Sequence, residues 1–402
     1  MDTLERLGAF DPVSKEEIAA RINGIKTMMA VQKMDFAVIM QNVDMFYFTG
    51  TMQKGLLVVA LDQEPLLFVE KSLSRARAET PLDIIPIARD RDVYKTLVEK
   101  GILKGTGGME LDVLPVKVFE RFKRIVGHER FVDVSPLIKE LRALKSPYEL
   151  TQLKKSGAIV ADVFARAAEV VREGMSEIEI DALLVAEGRR RGHQGFLRMR
   201  GFNQEMMNAY VFSGYTSGIP SYADVPIAGA GLTPAIAQGS SFLTVERGVP
   251  VLVDYSGGYN GYITDETRVF VAGALKDIFR KPYEVAREIV EDAACFGKVG
   301  INTTELFQRA YGMVKKAGLE AHFMGQGEGQ VSFIGHGLGL EINELPVITA
   351  RHSRTLKEGM VFAFEPKFIF PGVGAVGIEV DFIVRKDHLE RVTDTPIDIV
   401  SV

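Results

Sequence analysis

Cysteine is almost missing from this chain. Cys295 is the only one in 402 residues, which excludes an internal disulfide and a thiolate metal cluster and fits a reducing compartment. No apolar run reaches the roughly 20 residues that a membrane-spanning helix needs. The opening MDTLERLGAFD is acidic where a secretory signal is basic and then apolar. Short-period repeats and low-complexity stretches are absent as well. Neither sign of charge dominates, and a net charge of −5 with a pI near 5.8 gives no reason to expect nucleic acid or an anionic membrane as a partner. What remains is a cytoplasmic globular protein, long enough for two domains with substantial cores.

The first part alternates strands and helices. Residues 15–33 predict an amphipathic helix with Ile18, Ile25, Met28 and Met29 among charged neighbours. Strands are expected at 36–40, 56–61, 66–70, 109–111 and 131–134, and helices at 93–100 and 116–124. This is an α/β pattern with a mostly buried sheet. It holds no concentration of His, Asp or Glu at ligand-like spacing, so it reads as a structural or dimerising domain.

Near Leu144-Lys145-Ser146-Pro147-Tyr148-Glu149 the pattern changes. Ser146 as N-cap, Pro147 at the first helical position and Glu149 three residues after the cap form a capping box. A long helix should run from there to about Arg172, and the domain border is set at its start, giving 1–145 and 146–402. Ser176 and Glu179 repeat the device for a helix ending near Gly192. Further helices are expected at about 282–296 and 304–317, and the glycine-rich stretch 195–248 reads as loops and short strands.

The chemistry gathers in the second part. In VLVDYSGGYNGYITDETRVF, two apolar strands joined by a glycine-rich turn carry Asp254 and Asp265, eleven residues apart. Paired as a hairpin, the strands bring both carboxylates to one face. Two such acids repel unless a cation lies between them or one stays protonated. His336 follows between glycines in FIGHGLGL, Glu365 ends the apolar run MVFAFEP, and Glu379 interrupts GIEVDF. Each has a plainer reading taken alone: His336 as a hydrogen-bonded core histidine, Glu365 and Glu379 as buried strand-end acids, Asp265 as the partner of Arg268. Four carboxylates and one imidazole nevertheless carry a charge that matches two divalent cations. Oxygen-rich ligation with one histidine and no thiolate suits Mn, Fe(II) or Co, with Zn also accommodated.

The series Asp254, Asp265, His336, Glu365, Glu379, in DYSGGYNGYITDETR, GHGLGLEINELP, MVFAFEP and GIEVDF, resembles the pita-bread metallopeptidases. That family includes prolidase, aminopeptidase P and methionine aminopeptidase. The resemblance covers about 146–402. The α/β first part and the LKSPYEL junction resemble the prolidase and aminopeptidase P branch, whose members are usually dimers. It implies an α+β pita-bread catalytic domain with a curved antiparallel sheet behind an α/β N-terminal domain. It further implies two metal ions, the first chelated at Asp254, the second bound at His336 and Glu365, with Asp265 and Glu379 bridging. A hydroxide between the ions would attack the scissile carbonyl while Glu365 moves the proton.

Two departures stand beside the match. Family peptidases usually carry a histidine seven residues after the ligand histidine, where this chain has Asn343, and another about seventeen residues before the first aspartate, where it reads PAIAQGSS around Ala237. An amide donates a hydrogen bond but carries no proton at neutral pH. Losing an oxyanion donor costs on the order of 2.7–4 kcal/mol in other hydrolases. Gln238, Asn343 and Tyr262 are the candidate replacement donors, with His193, His322 and His352 less suited, and Arg351 and Arg354 read as a solvated cluster. The leading expectation is a dinuclear Xaa-Pro peptidase acting on short peptides. The alternatives are a metal-dependent non-peptidase hydrolase or lyase on a small molecule, and a binding protein without catalysis.

Overall fold

The computed structural model describes residues 11–402; nearly all of the acidic opening stretch, residues 1–10, lies outside them. The chain divides into two compact units. One holds the described residues up to Arg142 together with Arg200–Gln204, the other Ala143–Met199 and Glu205–Val402. Among the described residues no helix is long and apolar enough to cross a membrane.

The first unit is a six-stranded mixed sheet with helices α1 (Lys15–Val31), α2 (Asn42–Thr49), α3 (Leu73–Glu79), α4 (Asp90–Glu99), α5 (Val116–Val126) and α6 (Ser135–Arg142). Its strands β1 (Phe36–Ile39), β2 (Gly55–Ala60), β3 (Leu66–Val69), β4 (Ile84–Pro86), β5 (Gly107–Met109) and β6 (Phe131–Asp133) lie in the order β4-β3-β2-β1-β5-β6. Every residue of β1 is buried, as expected where both faces of a strand are covered. On α1, Ile18, Ile22, Ile25 and Met29 are buried, whereas Met28 is turned partly outward. Helices α2, α3 and α6 were not expected. Each spans eight residues or fewer, too short for a helical period to stand out, and α2 (NVDMFYFT) is so rich in buried apolar residues that no polar face marks it.

The second unit opens on α7 (Pro147–Val170), whose capping box is present: Ser146 Oγ accepts from the Glu149 N–H and the Glu149 carboxylate accepts from the Ser146 N–H. The same device starts α8 (Glu177–Arg190) at Ser176. Helix α9 (Asp277–Phe296) begins earlier than Pro282, which sits inside it, and α10 (Thr303–Ala317) follows. Within 195–248 the regular elements are β7 (Ala209–Ser213) and a 3-10 turn at Gly214–Gly218.

Most strands of this unit pair antiparallel. Strands β7, β8 (Pro250–Ser256) and β9 (Asp265–Val271) form one sheet, extended by a parallel pairing of β9 with β17 (Val400–Ser401). Strands β10 (Phe333–Leu338), β11 (Ile342–Thr349), β12 (Val361–Phe364), β15 (Val380–Val384) and β16 (Leu389–Arg391) form another, in the order β11-β10-β12-β15-β16. A ribbon of β13 (Lys367–Phe370) and β14 (Gly374–Gly377) lies between β12 and β15 in the chain. Thr267 and Glu379 join the sheets through a backbone bridge. Helices α9 and α10 pack on a core of Phe279, Ile289, Leu306, Val314, Phe362, Phe364 and Phe382, and α7 and α8 on one of Val160, Phe164, Ile180, Leu184 and Val253.

Candidate functional site

The four acids and the histidine expected from sequence converge on one cavity of about 40 Å³, also lined by Met206, Tyr210, Asp224, Phe333, Gln238, Asn343 and Lys367. Pairing of β8 with β9 sets Asp254 opposite Thr267 and Ser256 opposite Asp265. Alternation along the strands then turns Asp254 and Asp265 to the same face. It turns Glu266 and Arg268 to the other, so Arg268 pairs with Glu266 (2.8 Å) and leaves Asp265 alone. On β10, His336 lies opposite Ala363 of β12, and the glycines beside it let the strands approach. A Cβ at Gly335 would lie 2.3 Å from the Ala363 carbonyl oxygen. Glu365 stands just beyond β12, with its N–H on the Ile334 carbonyl at 2.8 Å. Glu379 exchanges backbone hydrogen bonds with Thr267, whose hydroxyl donates to Glu379 Oε2 at 2.8 Å.

The residue that sequence reasoning missed is Lys367. Its ammonium lies 3.1 Å from Asp254 Oδ2, 2.9 Å from Glu365 Oε2 and 2.7 Å from Glu379 Oε2, with the side chain 3% exposed. An ammonium has three donors, and these three contacts match them. The signal was a lysine two residues after a ligand candidate, opening the otherwise apolar run KFIF, all of it buried. Asp381 was also passed over: it is fully buried and accepts the Asp265 N–H at 2.8 Å.

Electrostatics follow from burial. It pushes Asp265 well above the usual carboxylate range, helped by Glu379 and Asp254, and takes Glu379 up to about 8 despite the opposing pull of Lys367. Burial likewise raises Asp381, with Glu266 adding to it, and lowers His336, which favours the neutral imidazole a metal needs. For Lys367 burial acts downward, but Asp254, Glu365 and Glu379 outweigh it and hold the group charged. One ammonium therefore leaves this cluster acidic.

The donor set around the histidine suits a cation. Around His336 Nε2 stand Glu379 Oε1 at 3.8 Å, Asp265 Oδ2 at 3.9 Å and Glu365 Oε1 at 4.0 Å. Ligands at bond lengths near 2.1 Å lie about 3–3.5 Å apart around one ion. Asp265, His336 and Glu379 offer ligand atoms within 4.8 Å of one another, so a modest contraction closes these three on a cation with Glu365 Oε1 beside the histidine, and neutral imidazole with carboxylates is a chemically suitable set. Around Asp254 the fit fails, because the Lys367 ammonium takes the space.

The other predicted contacts divide. Asn343, exposed and in a left-handed backbone conformation (φ 68°), stands with exposed Asp224 at the cavity rim, while Glu344 turns to Lys145 (3.2 Å). Gln238 lines the cavity, but its amide group donates to the Glu205 carbonyl at 3.0 Å. Tyr262 does not line it; fully buried, its hydroxyl donates to Glu149 at 3.3 Å. His193 is buried against the Ser256 carbonyl (3.1 Å), and half-buried His322 lies against that of Ile369 (2.8 Å). His352 and Arg351 are exposed, and none of these lines the cavity.

Comparison with known proteins agrees with this architecture. Residues 151–386 match the model of metallopeptidase family M24, and residues 21–144 the creatinase/prolidase N-terminal domain. A Xaa-Pro dipeptidase of Pyrococcus furiosus is 27% identical over 93% of this chain and 98% of its own. The solved prolidase from that organism superposes with a TM-score of 0.76 at 27% identity, covering 92% of this chain and 99% of that one. A Xaa-Pro dipeptidase structure from Bacillus anthracis, at 23% identity, shares the fold with a TM-score of 0.82 over 96% and 100%. With a pita-bread second unit, an α/β first unit and a cavity of buried carboxylates around one histidine, the chain belongs to metallopeptidase family M24.

Proposed function

We propose that this chain is a metal-dependent hydrolase of short peptides that cleaves Xaa-Pro bonds. The observation that carries the reading is the single cavity on which Asp254, Asp265, His336, Glu365 and Glu379 converge. The names of the relatives, Xaa-Pro dipeptidases, supply the substrate class.

Asp265, His336, Glu365 and Glu379 are the residues that would hold a divalent ion, and Mn, Co or Fe(II) suits them, with Zn accommodated. The resemblance implies a pair of ions, the first of them chelated at Asp254. Bound there, a divalent cation polarises a carbonyl and acidifies water. Glu365 accepts the proton of the attacking water and returns it to the proline nitrogen as the C–N bond breaks. Asn343 at the rim donates its amide N–H to the developing oxyanion, a role for which Gln238 would have to release Glu205. About 40 Å³ is room for an ion and a water, so the peptide lies along the rim, with Asn343 and Asp224 beside it. The same reading makes the chain a cytoplasmic homodimer, as in its branch of the family.

The test is turnover of Xaa-Pro dipeptides and longer Xaa-Pro peptides by protein loaded with Mn²⁺, Co²⁺, Fe²⁺ or Zn²⁺ in turn. Cleavage before proline, abolished by a chelator and restored by the ion, is the expected result, and peptide length separates dipeptidase from aminopeptidase. Bound metal with no peptide turnover would overturn the reading.

A further inference from the structure

Lys367 changes the charge balance on which a pair of metal ions rests. Asp254, Asp265, Glu365 and Glu379 carry four negative charges at most, and the histidine is neutral. Two divalent ions beside the ammonium would set five positive charges against those four. One divalent ion and the ammonium set three, so each count leaves a single net charge, of opposite sign, and the placement of the oxygens decides between them.

Geometry divides the oxygens between one ion and the ammonium. Glu365 and Glu379 each turn Oε2 to Lys367 and Oε1 toward His336. Asp254 Oδ2 faces the ammonium, and Asp265 Oδ2 faces the histidine. Each carboxylate that serves both sides spends one oxygen on each. The lysine is also seated by its neighbours. Across the ribbon it opposes Gly377, where a Cβ would meet Lys367 Cγ at 2.5 Å, so the missing side chain is the space its stem uses.

We infer that Lys367 permanently occupies one of the two cation positions of this site, and that the chain holds a single divalent ion, at Asp265, His336, Glu365 and Glu379. The ammonium supplies charge and three directed donors to Asp254, Glu365 and Glu379, but no position at which water or a carbonyl oxygen can be coordinated. This rests on the reading that the site is a metal centre.

The test counts ions in the full chain. Wild-type protein and Lys367→Gly are equilibrated with excess Mn²⁺, freed of unbound ion, and measured by native mass spectrometry and elemental analysis. One ion per chain in the wild type and two in Lys367→Gly is the expected result. Two in the wild type, or one in both, overturns the inference while leaving the metallopeptidase reading intact. No ion in either overturns both. Should Lys367→Gly fail to fold, anomalous diffraction from wild-type crystals soaked in Mn²⁺ decides: one peak beside His336 with Lys367 still on Asp254 supports the inference, and a second peak at Asp254 overturns it.

Discussion

Lys367 and Gly377 face each other across the β13–β14 ribbon, and the stem of the lysine fills the volume that a side chain at 377 would need. The relationship has an energetic consequence. Gly377→Ala forces the lysine stem aside and should destabilise the protein by about 1–3 kcal/mol, the usual scale of overpacking. In the Lys367→Gly background the penalty should shrink without vanishing, because Lys367 Cα (2.7 Å) and the Pro366 carbonyl (2.8 Å) would still crowd the new methyl group. A double-mutant cycle by urea unfolding measures the coupling, and equal penalties in both backgrounds would show that the two positions act independently.

Removing ligands should separate metal retention from catalysis. Glu365→Gln keeps an oxygen near His336 but accepts no proton, so turnover of an Xaa-Pro peptide should fall by about 10²–10⁴ with the ion retained. Asp254→Asn should leave the ion count unchanged, because Asp254 faces Lys367. His336→Ala should lose the ion. Elemental analysis beside the peptidase assay distinguishes the three.

Asp181 offers a pH test away from the site. Burial raises its carboxyl to about 6, although Ser240 Oγ donates to it at 2.7 Å. Between pH ~4, where the unfolded chain ionises, and pH ~6, the native state keeps a proton that the unfolded state has lost. Stability from this residue therefore falls as pH rises through that window, by about 2–3 kcal/mol in all. Asp181→Asn, which preserves an acceptor for Ser240, should raise stability at pH 7.5 and give no gain at pH 4. A loss at both pH values in thermal melts would mean that the carboxylate is held ionised.

In the first unit, fully buried Asp44 receives Arg142 on one oxygen and Arg200 on the other, both at 2.7 Å. Arg200 comes from the short segment Arg200–Gln204 that belongs to this unit. Asp44→Ala leaves Arg142 buried without this carboxylate and should cost about 3–5 kcal/mol. Arg200→Met should cost less, because Arg142 still neutralises the aspartate. Chemical denaturation of both variants checks the ranking.

Much of this protein was settled within short stretches of its sequence. The capping boxes at Ser146 and Ser176 start α7 and α8 because a helix N-terminus needs its free N–H groups satisfied locally, which four consecutive residues accomplish. The spacing of Asp254 and Asp265 put both on one face because side chains alternate along any strand. The same alternation withheld Arg268 from Asp265. Only the tertiary structure decided the rest. Tyr262 was a candidate donor, and its hydroxyl went to Glu149, 113 residues away in sequence. In the local sequence Lys367 was not set apart. Its meaning came from the β13–β14 register and from strands that bring Asp254, Glu365 and Glu379 within 3.1 Å of one nitrogen. Local sequence fixes which groups a strand presents, whereas the charge they meet depends on which strands the fold sets side by side.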